Sequence, residues 1–423
     1  MSISKLALAA LASGVMIPAG VAHAATTTSG DEVYLAAGLR GANEVGVKGD
    51  PDGRSTVVIK ISGDQVTFAI RWNKLDPPTA GHIHLGAKGS NGDVKLEFFT
   101  KPLPDTVLGV TGTVTATPDL VKALTDDPGG FYANLHDAAH PKGALRGQFH
   151  RLSKPVDLNG VLHGSNQATI NSHDDGAQEV QANDGKKRGD QDGKATWWLR
   201  PLGTSIAYTA FWDGLSPVTN GHLHKGVAGA NGPVAVDLFG ALPANVTGVA
   251  GEAPAPKQLV RRIAKNPGNW YTNLHTTEFD GGAVRGQLSG KPFTHPTAVT
   301  ADVLRGAQIY ACTNGAFAQF GVSAKLRRGI DHSFVQPVAG PPQWIAPDGS
   351  AVRGKLVTKT PNGDGNIPEL VLDATQSGKP TGLLSHATQV LRLNTTGGVA
   401  PAGACKPGAK VSVPYRADYL FLS

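Results

Sequence analysis

Six histidines occupy matching places in two stretches of the sequence. They are His82, His84 and His136 in the first stretch and, about 140 residues later, His222, His224 and His275 in the second. On a β-strand, residues two apart point to the same face with Cα atoms about 6.6 to 6.8 Å apart, so each His-x-His pair presents two imidazoles side by side. A third imidazole from a neighbouring strand would complete a three-histidine set with an open coordination position. The pattern therefore supports the hypothesis of a copper or zinc site in each stretch, because imidazole ligands suit both metals.

The segment that ends at each third histidine also carries polar residues which alternation places on the same face as that histidine. These residues are Tyr132 and Asn134, matched by Tyr271 and Asn273 in the second stretch. They are predicted to support the ligand rings from a second layer. The structural alternative is that all of these side chains close loops through backbone carbonyls and hold no ion, as histidines near strand ends commonly do.

Two arginines recur immediately before a Gly-Gln pair, Arg146 in the first stretch and Arg285 in the second. An arginine at a strand end could hold an anionic ligand. More often it pairs with a carboxylate of its own domain, and Glu44 and Glu179 are the candidate partners. A structural ion pair is therefore the prediction.

Three aromatic pairs in the second stretch offer rings on which a sugar could stack. They are Trp197-Trp198, Phe211-Trp212 and Trp270-Tyr271. Alternation turns one ring of each pair towards the core. The pairs keep a glycan among the candidate partners, beside ordinary core packing.

The first 24 residues have the composition of a secretory signal peptide. Lys5 supplies a positive charge, an apolar run extends from Leu6 to Val21, and Ala22-His23-Ala24 fits an A-x-A cleavage site. No later apolar run approaches the roughly 20 residues that a membrane-spanning helix needs. The sequence therefore predicts a secreted, extracellular protein with no transmembrane segment in the mature chain.

The cysteines and the charge balance agree with that location. The chain has two cysteines, Cys312 and Cys405, and they are predicted to pair because disulfides persist in exported compartments. Two free buried thiols are the alternative. The formal net charge is +6, and the one basic run of three, Lys186-Lys187-Arg188, lies among Asp and Gly as in a solvated loop. Nucleic acid is therefore not predicted as a partner.

Short alternating stretches separated by turn residues must position these side chains, and they predict a mainly β protein. Each copy of the repeat is interrupted by one predicted helix, Pro118–Leu124 in the first and Pro256–Lys265 in the second. A length of 423 residues suits three domains. The predicted boundaries are a signal peptide at 1–24, a first copy at 30–153, a second copy at 154–290, a linker at 291–302 and a third β-rich domain at 303–423.

Several spaced motifs recur in the two copies in the same order. The first copy carries Gly41-Ala42-Asn43-Glu44-Val45, Asp52-Gly53, Gly81–Gly86, Tyr132–His136 and Leu145-Arg146-Gly147-Gln148, and the second carries Gly176-Ala177-Gln178-Glu179-Val180, Asp192-Gly193, Gly221–His224, Tyr271–His275 and Val284-Arg285-Gly286-Gln287. Both copies resemble the CHRD domain, named for chordin and common in exported bacterial proteins. The resemblance implies two tandem immunoglobulin-like or superoxide-dismutase-like β-sandwiches, and it implies no single activity. The family commonly has an acidic residue before the Arg-Gly-Gln strand, where this chain has Ala144 and Ala283.

The last third, from about Leu304, resembles a separate domain family of unknown function from secreted bacterial and fungal proteins. The resemblance is carried by Gly306–Tyr310, Trp344, Asp348-Gly349-Ser350, Ile367–Ala374, Leu393–Gly398 and Val413–Phe421. This segment shows no nucleophile elbow, phosphate loop or Cys-His pairing. No catalytic residue is predicted in it.

The predicted function is that of a secreted, non-enzymatic binding protein whose partner is an extracellular protein, a glycan or a metal. The first alternative is extracellular copper or zinc binding through the three-histidine sets, and the second is a metal-dependent redox enzyme. Superoxide dismutation is disfavoured, because no bridging histidine and no zinc-binding loop lie between His84 and His136. A catalytic metal would also need an acid or base, for which Glu97 and Asp237 are candidates that alternation alone does not place near the ion.

Overall fold

The first copy is a β-sandwich of short antiparallel strands. The computed structural model describes residues 32–164, 167–290, 297–338 and 340–423, so the predicted signal peptide lies outside the described residues. The strands are β1 (Val33–Arg40), β2 (Arg54–Ser62), β3 (Gln65–Asn73), β4 (Ala80–Leu85), β5 (Val94–Phe99), β6 (Val107–Thr115), β7 (Phe131–His136), β8 (Leu145–Gln148) and β9 (His150–Arg151). One sheet runs in the order β6-β3-β2-β1-β9 and the other in the order β8-β7-β4-β5. Alternate apolar residues, such as Leu35, Phe68 and Ile83, fill the space between the sheets.

The helix predicted in the first copy is present as α1 (Pro118–Asp126). It begins after Thr117, whose hydroxyl accepts a hydrogen bond from the backbone N–H of Leu120 at 3.3 Å, and Pro118 occupies a first-turn position that needs no hydrogen-bond donor. The helix then ends before Pro128, and β7 follows at once. The sequence signals that mark this helix therefore also fix where the histidine-bearing strand starts.

The second copy has the same topology. Its elements are β10 (Ile170–Asp175), β11 (Lys194–Pro201), β12 (Ser205–Asp213), β13 (Val218–Lys225), β14 (Val234–Phe239), β15 (Val246–Pro254), α3 (Lys257–Lys265), β16 (Trp270–Thr276) and β17 (Val284–Gln287). The sheets run β15-β12-β11-β10 and β17-β16-β13-β14. The mainly β fold and the two sandwiches predicted from the sequence are confirmed.

The two copies join edge to edge through β6 and β15, which pair in antiparallel fashion. Val110 and Val249 are each the fourth residue of their strand, and they pair with each other. On either side of this pair, Glu252 N–H donates to Thr106 O at 2.8 Å and Thr113 N–H donates to Asn245 O at 3.2 Å. The copies are therefore related by a local two-fold axis, and one sheet of each continues into the other.

The C-terminal segment is a closed barrel of eight antiparallel strands in which each strand pairs with the next and the last pairs with the first. The strands are β18 (Ala298–Thr313), β19 (Ala316–Leu326), β20 (Asp331–Phe334), β21 (Pro342–Ile345), β22 (Ala351–Thr360), β23 (Glu369–Gln376), β24 (Gln389–Gly397) and β25 (Lys410–Leu422). β18 begins inside the range predicted as linker. The predicted disulfide is confirmed: Cys312, near the end of β18, is bonded to Cys405 in the loop before β25.

The barrel packs against the first copy, and residues 32–423 form one compact unit. The short helix α2 (Leu158–His163), which the sequence analysis did not predict, lies at this junction with Val161 and Leu162 in a buried apolar cluster that also holds Ala36 and Leu420. Polar contacts surround the cluster, including a buried pair between His150 Nε2 and a Glu369 carboxylate oxygen at 2.9 Å. The third domain is thus fixed to one copy rather than tethered to it.

In the described residues, no helix has both the length and the apolar character needed to cross a membrane.

Candidate metal centre

β4 and β7 bring the three histidines of the first copy together. In their antiparallel register, Ala80 lies opposite His136 and His82 lies opposite Asn134. Residues that face each other across two strands share a face of the sheet, so His82, His84 and His136 all point to the same side. The alternation predicted from the sequence is therefore the arrangement that the strands adopt.

The imidazole nitrogens of each set converge. In the first copy, His82 Nδ1 lies 3.2 Å from His136 Nε2, and His84 completes a group in which one nitrogen from each ring lies within 4.8 Å of the others. In the second copy, one nitrogen from each of His222, His224 and His275 likewise lies within 4.8 Å of the others. A metal ion bonded tetrahedrally to imidazoles at about 2.0 to 2.1 Å holds its ligand atoms about 3.3 Å apart, close to the distance between His82 Nδ1 and His136 Nε2.

Backbone carbonyls hold the far side of two rings in each set. His84 Nδ1 lies 3.0 Å from Gly92 O, and His136 Nδ1 lies 3.1 Å from Pro141 O. Because a carbonyl oxygen only accepts, each Nδ1 must carry the proton, and each Nε2 is left with a lone pair. Carbonyl contacts of this kind fix the tautomer and orientation of metal-ligating histidines in known sites.

The second copy repeats these contacts. His224 Nδ1 lies 3.0 Å from Gly232 O, and His275 Nδ1 lies 3.0 Å from Asp280 O. The opposite atoms, His224 Nε2 and His275 Nε2, are buried and have no hydrogen-bond partner among the described residues, and neither does His222 Nδ1. His224 Nε2 and His275 Nε2 therefore present lone pairs to the cluster, with His222 Nδ1 beside them.

Burial keeps these rings neutral. Burial and, after it, the neighbouring imidazoles lower the pKa of His82 and of His222 to about 4. Burial likewise lowers the pKa of the other four, His84, His136, His224 and His275. Neutral imidazole is the form that binds metal.

A stack of side chains supports the second histidine of each set. The Tyr132 ring lies parallel to the His84 ring with centroids 4.8 Å apart. The Arg146 guanidinium packs over the Tyr132 ring, 3.5 Å from its centroid. Tyr271 and Arg285 repeat both distances around His224. The two tyrosines therefore contact the histidines through ring packing, and the two arginines contact the tyrosines.

The predicted ion pair between Arg146 and Glu44 is wrong. Arg146 instead donates to Ser90 O at 2.7 Å and Asn91 Oδ1 at 3.0 Å in the loop between β4 and β5. Glu44 accepts a hydrogen bond from Asn134 Nδ2 at 2.7 Å. The buried arginine is committed to holding this loop, which carries the Gly92 carbonyl that orients His84.

The ion pair predicted between Arg285 and Glu179 in the second copy is likewise not formed. Arg285 donates to Val227 O at 2.9 Å and Ala230 O at 3.0 Å, and Asn273 Nδ2 donates to Glu179 Oε1 at 2.5 Å. Burial raises the pKa of Glu44 to about 6 and that of Glu179 to about 7. Asn134 and Asn273 thus bind a partly buried carboxyl group rather than an imidazole.

The strand register places two acidic residues beside the first histidine of each set, which alternation in the sequence could not do. Asp237 lies opposite His222 on β14, and its Oδ1 is 3.4 Å from His222 Nε2. Glu97 lies opposite His82 in the same position of the first copy. Asp237 therefore contacts the nitrogen of His222 that points away from the three-histidine cluster.

A further group of possible ligand side chains in the first copy contains none of the six repeated histidines. Asp50, Asp137 and His140 have donor atoms within 4.8 Å of one another. Asp137 is buried, and its Oδ1 accepts from the His140 backbone N–H at 2.6 Å and lies 3.0 Å from His140 Nδ1. These hydrogen bonds close the loop that follows His136, and they explain why the three side chains lie together.

The aromatic pairs of the second copy do not form an open platform. Trp197, Trp212, Trp270 and Tyr271 are all buried. Trp198 and Phe211 are partly buried, and His163 of α2 contacts both rings with centroids 4.5 and 5.3 Å away. These residues act mainly in the core and at the contact with α2.

The comparisons with known proteins agree with both resemblances drawn from the motifs. A family model described as the CHRD domain matches residues 35–149 and 170–288, which together make up more than half of the chain. A second model, described as a protein of unknown function (DUF3455), matches residues 316–423. No curated protein and no solved structure matches the chain significantly.

Proposed function

We propose that this chain, which belongs to the CHRD domain family, is a secreted binding protein in which each CHRD domain holds one copper or zinc ion through three histidines. The observation that carries the proposal is the convergence of three imidazole nitrogens in each copy, with carbonyl groups fixing two of the three rings from behind. Histidines that only close loops would use one nitrogen and leave the other to water. Here the second nitrogens meet one another.

The chemistry of the donor set favours copper or zinc. Three neutral imidazoles suit both ions, and the general order of affinity for divalent ions favours copper where it is available. A three-histidine set leaves at least one coordination position for water or an exchanging ligand. The rings are only partly buried, so each cluster lies near the surface of its sandwich.

Elemental analysis of the full chain, purified without chelators, tests the proposal. We expect about two copper or zinc ions per chain, one for each three-histidine set, and loss of both in a His82→Ala/His222→Ala double variant. His173→Ala is the matched control, because His173 is an exposed histidine of the second copy outside the set. Metal content below one ion per ten chains after incubation with Cu(II) and Zn(II), or equal content in the double variant, would refute the proposal.

Turnover separates storage or delivery from redox catalysis. A binding protein should release its metal to a competing chelator and consume no superoxide or peroxide. Metal-dependent consumption of either oxidant that disappears in the double variant would make the chain an enzyme instead.

Secretion is the second part of the proposal. It rests on the signal-like composition of residues 1–24 and on the Cys312–Cys405 disulfide. The mature protein recovered from culture medium should begin at Ala25 when its N-terminus is sequenced. Recovery of the intact chain from the cytoplasm alone would contradict export.

A further inference from the structure

The barrel is filled at one end and hollow at the other. In an up-and-down barrel, the starts of β18, β20, β22 and β24 meet the ends of the remaining strands at one rim. The side chains near that rim, such as Val299, Leu326, Val352 and Phe421, belong to a buried apolar cluster. Towards the opposite rim, residues from all eight strands line a cavity of 460 Å³. This volume lies in the range of small-molecule sites, and eight strands are enough to enclose one small ligand.

Five ring-bearing side chains line the cavity, beside a larger number of aliphatic ones. His332 and Trp344 stack face to face with centroids 4.6 Å apart and an interplanar angle of 4°, and Tyr419 packs against Trp344 at 5.6 Å. Tyr310 and Phe334 line the wall nearer the rim. Phe334 is the least buried of these five rings, so a planar, apolar ligand would pack chiefly against it.

The charged groups of the lining are all positive. Arg392 and Lys359 line the cavity, and no aspartate or glutamate does. Burial lowers the pKa of His332 to about 3, so this ring adds no charge. Arg392 is held in place by bonds from Nε and Nη2 to Pro368 O at 3.2 and 2.8 Å. The cavity therefore complements a negative charge.

An amide adds a polar group to the wall. Gln308 is 1% exposed, its Oε1 accepts from Gln319 Nε2 at 2.5 Å, and its Nε2 has no hydrogen-bond partner among the described residues. A buried polar atom without a partner is costly. In a lined cavity such an atom points to a ligand that supplies the missing acceptor.

From the shape, the rings and the charge together, we infer that the barrel cavity binds an aromatic carboxylate. The ring of the ligand packs against Phe334 and the apolar wall beside it, and its carboxylate lies against Arg392. Leu356 stands at the mouth, since it lines the cavity and is 53% exposed. This site is separate from the histidine clusters and independent of them.

Calorimetric titration of the full chain with naphthalene-2-carboxylate tests the inference. The protein is treated with chelator first, so that a metal in the CHRD domains cannot bind the carboxylate. We expect saturable binding of one molecule per chain, and binding of naphthalene-2-carboxamide, the neutral isostere, weaker by about tenfold or more because the charge-assisted bond to Arg392 is lost. Absence of binding, or equal affinity for acid and amide, would overturn the inference.

Two variants locate the site. Arg392→Gln should weaken binding of the acid about tenfold while leaving the amide unchanged, and Leu356→Trp at the exposed mouth should weaken both. Arg353→Gln is the matched control, since Arg353 is exposed on β22 and does not line the cavity. Undiminished binding by Leu356→Trp, a surface change that leaves the core intact, would place the ligand elsewhere. Tighter binding of octanoate than of the naphthalene acid would contradict the aromatic class.

Discussion

The two CHRD domains keep the same histidine cluster and differ in what surrounds it. Each of the three rings, the carbonyls behind them and the Tyr-Arg stack recur in both copies at nearly equal distances. The contact with the barrel does not recur. Arg40, Asn43 and His150 of the first copy bond to Asp418, Asn394 and Glu369, whereas the matching positions of the second copy hold Asp175, Gln178 and Ser289. The residues that the two copies share are therefore those of the histidine cluster. The residues that differ are those with which the first copy alone contacts the barrel.

The interiors differ as well. In the second copy, Asp174 is buried and its Oδ1 accepts from Ser172 Oγ at 2.7 Å and Thr272 Oγ1 at 3.0 Å. The matching residues of the first copy are Leu39, Ala37 and Ala133, which are all apolar. One sandwich thus has a dry apolar layer where the other has a buried polar network, and the histidine clusters above both are the same. The cluster does not depend on the core chemistry beneath it.

Removing one histidine from one set should have the largest effect on the equivalence of the two CHRD domains. We expect His84→Ala and His224→Ala each to lower the metal content from about two ions to about one per chain, because two imidazoles hold an ion far less tightly than three. Mass spectrometry under non-denaturing conditions counts the ions directly. If His84→Ala emptied both domains, the sites would be coupled rather than independent.

The next largest effect concerns the contact with the barrel. His150→Ala leaves the Glu369 carboxylate buried without its partner, which should lower the free energy of unfolding by about 3 kcal/mol. Ser289→Ala at the matching position of the second copy should cost about 1 kcal/mol or less. Guanidinium unfolding followed by tryptophan fluorescence compares the two. Equal losses would mean that the His150–Glu369 pair adds nothing to the junction.

The buried acid should make one copy sensitive to pH. Burial raises the pKa of Asp174 well above its ordinary value, so the folded state holds a proton that the unfolded chain releases above about pH 4. Stability from this group is complete below that pH and falls by about 1.4 kcal/mol per pH unit as the pH rises towards the raised pKa. Asp174→Asn should remove that slope. Unfolding measured from pH 4 to 8 gives both slopes, and parallel curves would show that Asp174 ionises normally.

The smallest effect is expected at the tyrosines under the second histidines. Tyr271 OH accepts from Gly232 N–H at 3.2 Å, and Tyr132 OH is 3.4 Å from Gly92 N. Tyr132→Phe and Tyr271→Phe should each cost about 0.5 to 1.5 kcal/mol and leave the metal content unchanged, since the ring still stacks on the histidine. Thermal unfolding and elemental analysis together check this. Loss of metal in either variant would give the hydroxyl a role in the site that packing does not explain.

The sequence predicts the features that the two copies share better than it predicts the contacts around them. A period of two places Tyr132, Asn134 and His136 on one face, and the repeat picks out the same six histidines, because both signals are local. The partners of Arg146 and Glu44 were mispredicted, because opposite charge says nothing about which loop carbonyls lie nearer. The place of Asp237 beside His222 follows from strand register, which is set by residues far away in the chain.

The same limit applies to the third domain. Alternating stretches predict its strands, but closure of the barrel depends on β18 pairing with β25, at the two ends of the segment. The cavity exists only once that pairing is made, so neither its volume nor its positive lining can be read from any one strand. The helix α2 was missed because it is short and takes its stability from the junction on which it packs.

The pairing of β6 with β15 has a consequence for behaviour in dilute solution. Separate single-copy domains joined through such edges would come apart when their concentration falls below the dissociation constant. Covalent linkage holds the second edge at a local concentration that is typically millimolar for short connections, whatever the bulk concentration. A chain dispersed in a large volume therefore retains its two-fold arrangement, with both histidine clusters at a fixed separation. It also presents no unpaired sheet edge at this contact, where a third strand could add and begin aggregation.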